Sequence, residues 1–302
     1  MSRRGWALFV AMSLIWGLPY LLIKVAVEDV SPVVVVFLRC AIGAALLVPW
    51  TLARGHLGTA LRRHWRALLL FTVLEMTGPW LLLPWAEQSL SSSLTGLLVA
   101  AVPFVAAVAA LLAGDEDRLS PLRVVGMLIG VVGIVALLGL DVGGAQLSAI
   151  GAVALVVVGY AVAPIVISHR LPDVPGVTAA SFALLFTALV YAPFALPRLG
   201  EAVEAPPQAW LALLALGTVC TALALALFFA LIREAGPQRA LVITFVNPAV
   251  AVLLGVLVLD EPFTLGLALG LPLVLVGCVL ATRRSPVRTA RSEFDDLDTA
   301  VP

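Results

Sequence analysis

Charge is what this sequence has least of. Only 12% of its residues are Asp, Glu, Lys or Arg, 62% are hydrophobic, and the mean hydropathy is +1.11. Soluble domains carry about 25% charged residues and are about 45–50% apolar. A water-soluble fold of this chain would therefore expose far too much apolar surface. The formal net charge is zero, which offers no basic footprint for nucleic acid. The composition predicts an integral membrane protein.

Cysteine and histidine are also scarce. The three cysteines lie inside apolar stretches, where a thiol acts as a small hydrophobe and not as part of a disulfide or metal cluster; they are Cys40, Cys220 and Cys278. The histidines are scattered over loops. P-loop, GxSxG and HExxH spacings do not occur in the sequence. We therefore expect no cofactor, no metal site, no ATP hydrolysis and no enzymatic activity.

Long apolar runs dominate what is present. A helix needs about 20 apolar residues to cross a bilayer. Ten runs qualify, at 6–27, 32–53, 66–86, 91–113, 121–140, 148–168, 177–197, 208–232, 238–259 and 264–282. The first run follows a basic flank, as in a signal peptide, but continues to the length of a full span, so we interpret it as a retained helix. We predict an all-α polytopic protein with ten transmembrane helices.

The arginines predict an orientation. If the N-terminus is cytoplasmic, all arginines in loops and at helix ends fall on the cytoplasmic side, with the exception of Arg198. This is the positive-inside distribution of a multi-pass protein of the cell (inner) membrane. Both termini are then expected in the cytoplasm. Residues 285–302 are polar and should form a disordered cytoplasmic tail.

An internal repeat divides the chain. The segment 102–138 aligns with 247–281, so that Pro103 matches Pro248 and Gly133 matches Gly277. The matching acidic turns contain Glu116 and Glu261.

The repeats set the predicted domains. They span 1–140 and 145–284, with five predicted helices in each. Because five is odd, the second repeat enters the membrane from the opposite side to the first. This inverted arrangement is typical of secondary transporters, whose substrate site lies between the repeats.

Two stretches carry a family resemblance, "IWGLPYLLIKVAVEDVSPVVVVFLR" and "NPAVAVLLGVLVLDEPFTLGLALGLPLVLVGCVLA". They resemble the EamA-type transporters of the drug/metabolite transporter superfamily, over about residues 5–284. The matching positions are Trp16, Gly17, Lys24, Pro32, Arg39, Pro248 and the turn Glu261-Pro262-Phe263-Thr264. In the first repeat Glu116 is kept, but the Pro-Thr after it is lost. The resemblance implies ten helices, cytoplasmic termini, and export or exchange of small metabolites such as amino acids or drug-like compounds.

Ionisable residues inside spans are costly and usually mark function. Glu75, near the middle of the third span, is the strongest candidate, as a site for a proton or a substrate ammonium. The alternative is a structural role, paired with Arg39 or hydrogen-bonded. Arg39 and Lys24 have the same two interpretations, since each could pair or reach the outer surface. Glu87 is assigned to an outer helix end, where its carboxylate would reach the headgroups.

Aromatic and helix-breaking residues suggest a cavity. Prolines inside membrane helices are tolerated where the freed carbonyl faces protein or water. The predicted cavity residues, besides Glu75, are Trp16, Pro19, Tyr20, Trp80, Tyr160, Asn247 and Pro248. For Asn247, hydrogen bonding between helices is an equally good explanation. We expect the first, third, fourth, sixth, eighth and ninth spans to enclose this cavity.

Small residues spaced by four mark the fifth and tenth spans. Gly126 and Gly130 lie in one, and Gly266 and Gly270 in the other. Such spacing allows close approach of two helices. We predict that these two spans pack together as a support away from the cavity. A homodimer formed through the same face is the alternative.

These features favour a secondary active transporter that works by alternating access in the lipid bilayer on a small-molecule substrate, and we expect export as its direction. Two other classes remain open. An intramembrane enzyme acting on lipid would need several acidic residues or histidines at one depth, and the sequence offers Glu75 almost alone. A sensor or scaffold would need a folded cytoplasmic domain, and the tail is too short for one.

Overall fold

The described chain contains ten apolar helical segments and, between the seventh and eighth of them, a 3₁₀ turn (Leu196–Arg198) and a short helix (Leu199–Glu204). The computed structural model describes residues 2–112, 121–141, 146–236, 240 and 242–282. The first repeat contains α1 (Arg3–Ile15 and Leu18–Val27), α2 (Pro32–Ala53), α3 (His56–Thr72, Val73–Thr77 and Gly78–Glu87), α4 (Ser92–Val99 and Val102–Leu112) and α5 (Pro121–Asp141). The second contains α6 (Leu147–Arg170), α7 (Gly176–Ala195), α8 (Pro207–Gly217, Thr218–Leu223 and Ala224–Ala235), α9 (Ile243–Val258) and α10 (Leu265–Thr282). The predicted tail and Glu116 lie outside the described residues.

The prediction of an all-α polytopic membrane protein is confirmed. Eight of the segments are long and apolar enough to cross a membrane, and α9 and α10 are shorter apolar helices. Large apolar side chains point outwards along them: Leu128, Val135 and Leu257 are each at least 60% exposed. Such a surface is unfavourable in water and favourable in hydrocarbon. In the described ranges the secondary structure is helical and contains no strand.

The helices pack with a two-fold repetition. α1 contacts α8 and α9, and its counterpart α6 contacts α3 and α4. The pairs α2–α7, α4–α9 and α5–α10 each join equivalent helices of the two repeats. The interface between the repeats therefore runs through the middle of the molecule. Side chains on its inner surface come from both halves.

Glycines set the distance between α5 and α10. A Cβ atom built on Gly277 would lie 2.6 Å from Gly130 Cα, and one on Gly126 would lie 2.5 Å from the backbone nitrogen of Ala281. A Cβ on Gly270 would lie 3.1 Å from the Gly133 carbonyl oxygen. Only residues without side chains allow this approach of two backbones. Gly266 is also buried.

Both repeats interrupt the same helix. α3 contains a π-helical turn at Val73–Thr77, and its counterpart α8 contains one at Thr218–Leu223. Single π turns within α-helices occur frequently at functional sites. The equivalent positions of the two π turns indicate that residues of α3 and α8 at the repeat interface belong to the functional site.

Candidate substrate site between the two repeats

Arg39 is the buried charge at the centre of the bundle. Its side chain is only 7% exposed. The guanidinium lies 3.7 Å from the centroid of the Trp80 ring on α3, and Nε donates to Thr221 Oγ1 on α8 at 3.1 Å. A cation over an aromatic face together with a hydrogen bond replaces part of the lost hydration. The two Nη groups donate to no residue in the described part of the chain, so they remain available to a ligand.

The π turn of α8 positions the acceptor for Arg39. Thr221 Oγ1 itself donates to the Leu216 carbonyl at 2.8 Å, five residues earlier in the chain. This bond fits a π turn, in which carbonyls pair five residues on. Gly43 on α2 faces this threonine, since a Cβ there would lie 2.8 Å from Thr221 Cγ2. Thr221 carries no functional signal in the sequence, because threonine in an apolar helix usually bonds to its own backbone.

Glu75 lies in the π turn of α3. Its side chain is half-buried, and its carboxylate forms no hydrogen bond or ion pair with the residues that the structure describes. The ion pair with Arg39 that the sequence offered as a structural alternative is not formed. A half-buried carboxylate without a protein partner is available to a proton or an ammonium group.

Two tyrosines complete this group, which we call the central cluster: Tyr20, Arg39, Glu75, Trp80, Tyr160 and Thr221. Tyr160 on α6 lies within electrostatic range of Glu75, Tyr20 and Arg39. The ring of Tyr20 contacts α4, where a Cβ on Gly96 would lie 3.3 Å from Tyr20 Cδ2. The predicted cavity residues Tyr20, Glu75, Trp80 and Tyr160 are thus brought together. α2, which we had left out of the cavity wall, contributes Arg39.

Trp16 and Pro19 lie at a break in α1. Gly17, at that break, packs directly against Val250 of α9. Trp16 does not join the tyrosines; its ring lies 4.7 Å from that of Phe228 on α8. Pro19 occupies the first turn of the second helical piece, where its missing N–H costs no helical hydrogen bond.

Asn247 holds α9 against the break in α1. With its amide oriented so that nitrogen is the donor, it donates to the Ile243 carbonyl at 2.9 Å and to the Ser13 carbonyl at 3.2 Å. The Ser13 carbonyl needs a partner because Gly17 N bonds instead to Leu14 O. Asn247 therefore bonds between helices, and the neighbouring Pro248 is buried.

Lys24 caps the end of α3. Its Nζ donates to the carbonyl oxygens of Glu87, at 2.7 Å, and Leu90, at 3.1 Å. The last carbonyls of a helix have no partner within it and carry partial negative charge. An ammonium group there satisfies them and ties α1 to α3.

Three hydrogen-bonded links join the repeats at one end of the bundle, which we call the Glu261 end. Glu261 accepts from the backbone nitrogens of Ser92, at 2.7 Å, and Ser93, at 3.0 Å, at the start of α4. The Ser31 backbone nitrogen, before α2, donates to Glu201 Oε2 at 2.8 Å. Gln146 Nε2 donates to the Ser89 carbonyl at 3.0 Å. These links close that end of the interface.

Glu261 should contribute strongly to stability. Replacing it with alanine leaves two backbone N–H groups at the start of α4 without an acceptor. Losing charge-assisted bonds of this kind should cost about 2 kcal/mol. The check is the melting temperature in detergent, with Glu204→Ala, an exposed carboxylate, as the control. Equal melting temperatures for the two variants would show that the link is dispensable.

The predicted environment of Glu87 is wrong. Its position at a helix end predicts a carboxylate among the headgroups, yet the residue is fully buried, with 0% of its surface exposed. Within the described part of the chain, neither carboxylate oxygen has a hydrogen-bond partner. Lys24, Arg39 and Glu261 lie within electrostatic range of this side chain. Position along a helix could not reveal this environment, since these residues are distant from Glu87 in sequence.

The comparisons with known proteins agree with this architecture. The sequence profile of the EamA-like transporter family matches residues 3–139 and, a second time, 147–283. The chain belongs to this family. The EamA-type resemblance of the sequence motifs is thereby confirmed, and the two matches correspond to the two five-helix repeats.

Relatives of this EamA-family protein are known from three strains of Escherichia coli. Each is described as "Uncharacterized inner membrane transporter YedA", is 30% identical over 256 residues, and is matched over 82% of this chain and 80% of its own. One solved crystal structure aligns with a TM-score of 0.62 at 24% identity, covering 93% of this chain and 97% of that one. This last likeness concerns the fold alone. The protein is a membrane transporter.

Proposed function

We propose that this transporter is a secondary active exporter of small zwitterionic metabolites such as amino acids. The observation that carries the proposal is the central cluster. In it the buried guanidinium of Arg39 and the carboxylate of Glu75, which has no partner among the described residues, both lie within electrostatic range of Tyr160. Arg39 offers its two free Nη groups, the geometry that suits a carboxylate. Glu75 offers an acceptor for an ammonium group. Tyr20, Trp80 and Tyr160 provide apolar surface with polar tips.

The charges of the cluster support a neutral substrate. A zwitterion brings one negative and one positive group, so binding compensates both Arg39 and Glu75 without adding net charge to a low-dielectric site. An anionic substrate would leave Glu75 unpaired, and a cationic one would leave Arg39 unpaired. Either case would bury a charge without a partner.

The links between the repeats support alternating access. Hydrogen bonds join the two repeats at one end of their interface, through Glu261, Glu201 and Gln146. Their partners lie at, or a few residues before, the start of a helix. Breaking them would let the repeats separate there and expose the central cluster. In an inverted repeat, rocking of one half against the other opens each end in turn.

The arginine distribution supports an orientation. The connections at the Glu261 end contain Arg198 alone among the arginines, and the opposite loops contain the rest of the loop arginines. By the positive-inside rule the Glu261 end faces outwards and both termini face the cytoplasm. The end that the three links hold together is then the outer end.

Purified protein in liposomes tests this function. Vesicles loaded with unlabelled amino acids should accumulate radiolabelled amino acid by exchange, whereas vesicles without protein should not. A panel that includes cationic drugs tests the substrate class. Flux of the drugs without flux of any amino acid would contradict the proposal.

Glu75 is the proposed site of proton coupling. Glu75→Gln should leave the melting temperature unchanged and abolish the pH dependence of transport, because glutamine keeps the shape but binds no proton. The measurement is the initial rate of amino-acid flux over a series of pH values on both sides of neutrality. Glu204→Gln, at an exposed position, is the control. A Glu75→Gln protein with the wild-type pH profile would exclude this role.

A further inference from the structure

A sealed carboxyl group, that of Glu87, lies at the Glu261 end, within electrostatic range of Tyr20 and Arg39 of the central cluster. Both of its oxygens are buried, and neither has a hydrogen-bond partner among the residues that the structure describes. Glu75, by contrast, is half-buried. Buried polar groups are nearly always hydrogen-bonded, so one that lacks a partner calls for an explanation.

The surroundings of Glu87 contain charges from three other elements. Lys24 and Tyr20 on α1, Arg39 on α2 and Glu261 in the α9–α10 connection all lie within electrostatic range. None of them forms an ion pair or hydrogen bond with the carboxylate. Lys24 does contact Glu87, but through the backbone: its Nζ donates to the Glu87 carbonyl oxygen at 2.7 Å.

Among the cations that could neutralise the Glu87 carboxylate, a proton is the one that this packing accommodates. The carboxyl oxygens have no accessible surface, so a water molecule, a sodium ion or a substrate ammonium cannot reach them without a rearrangement. A proton needs no space. An ionised carboxylate with no partner in this setting would carry a large desolvation cost, whereas the neutral acid would not.

We propose that Glu87 holds a proton while the Glu261 end is closed and releases it when that end opens. On opening, the carboxyl O–H loses its proton to the water that enters, and the carboxylate pairs with Lys24, whose ammonium leaves the α3 carbonyls. The inference rests on the alternating opening of the two ends in the proposed function, but not on the identity of the substrate.

The sign of the pH effect follows from the proton count. The closed form holds one more proton than the open form, so raising the pH favours opening. Over the range in which the two forms differ by a full proton, the ratio of open to closed molecules should change by about tenfold per pH unit.

Infrared spectroscopy and hydrogen–deuterium exchange test this on the full-length protein in lipid. The wild-type spectrum should contain a C=O band of a protonated carboxyl group that Glu87→Gln removes and Glu28→Gln, at an exposed position, retains. Amide exchange in residues 88–96 should rise with pH more steeply in the wild type and Glu28→Gln than in Glu87→Gln, which stays closed. Comparing variants at the same pH removes the intrinsic pH dependence of exchange.

Each result decides the proposal. Absence of a Glu87-dependent band, or identical pH dependence of exchange in Glu87→Gln and the wild type, would overturn it. Glu87→Asp provides a second variant, which keeps a carboxyl group and should keep a shifted band. If the liposomes carry no amino acid but the band and the exchange behave as expected, only the proposed function fails. If amino acids are carried but the band is absent, only the role of Glu87 fails.

Discussion

Replacing Arg39 with methionine is expected to lower the affinity for a transported amino acid by at least about 25-fold. The guanidinium is the cation that the proposed site offers to the substrate carboxylate. Removing one partner of a buried charge pair typically costs 2–5 kcal/mol, and every 1.4 kcal/mol is about tenfold in affinity. The measurement is the concentration of the amino acid that gives half-maximal thermal stabilisation of the purified protein.

The fold should survive this substitution. Methionine has a similar volume and leaves no buried charge, and replacing buried ionic groups by apolar ones is often neutral for stability. Thr221 keeps its bond to the Leu216 carbonyl. A small change in the melting temperature without ligand, together with lost stabilisation by ligand, would separate a binding role from a structural one.

Arg39→Lys sharpens the test. Lysine keeps the positive charge but has neither the planar face that lies over Trp80 nor the paired donors for a carboxylate. We expect an intermediate loss, closer to methionine than to the wild type. Arg62→Lys, at an exposed position, is the control and should bind normally. Full affinity in Arg39→Met would exclude Arg39 from the site.

Replacing Gly277 with valine should have the largest effect on folding. A Cβ at this position would lie 2.6 Å from Gly130 Cα and 2.7 Å from the Gly126 carbonyl oxygen. Both are backbone atoms, which cannot move aside as the end of a flexible side chain can, so α5 and α10 must separate along their length. Overpacking costs about 1–3 kcal/mol in ordinary cores, and we expect at least the upper end here.

The control for this prediction is Gly151→Val on α6. A Cβ at Gly151 meets nothing within 4 Å, so valine there should leave the melting temperature nearly unchanged. The measurement is the melting temperature in detergent together with the yield of folded protein. Similar behaviour of the two variants would show that the close approach of α5 and α10 is not required.

The sequence was sufficient for the fold because its signals are local and additive. An apolar run long enough to cross a bilayer predicts a helix without knowledge of any other residue. The repeat matching Pro103 to Pro248 added the two-fold architecture, since duplicated segments fold alike. The glycine spacing in α5 and α10 predicted that these two helices pack together, and in the structure their backbones meet at Gly126, Gly130 and Gly277.

The site was predictable only in part. Glu75, Tyr20, Trp80 and Tyr160 were identified from their cost or rarity in apolar helices, and they do lie together. Trp16 was identified by the same criterion but packs on Phe228. Residue type shows that a side chain needs a special environment, but the direction in which it points depends on helix rotation and on the break at Gly17.

The burial of Glu87 shows most clearly what could not be predicted from the sequence. By itself the sequence determined that this is an all-α, two-repeat membrane protein, because hydrophobic length and internal similarity are properties of the chain alone. Only the tertiary structure decided that Arg39 lies over Trp80, that Lys24 bonds to backbone carbonyls, and that Glu87 is sealed without a partner. The environment of a charge is set by residues distant in sequence, and packing alone brings those residues together.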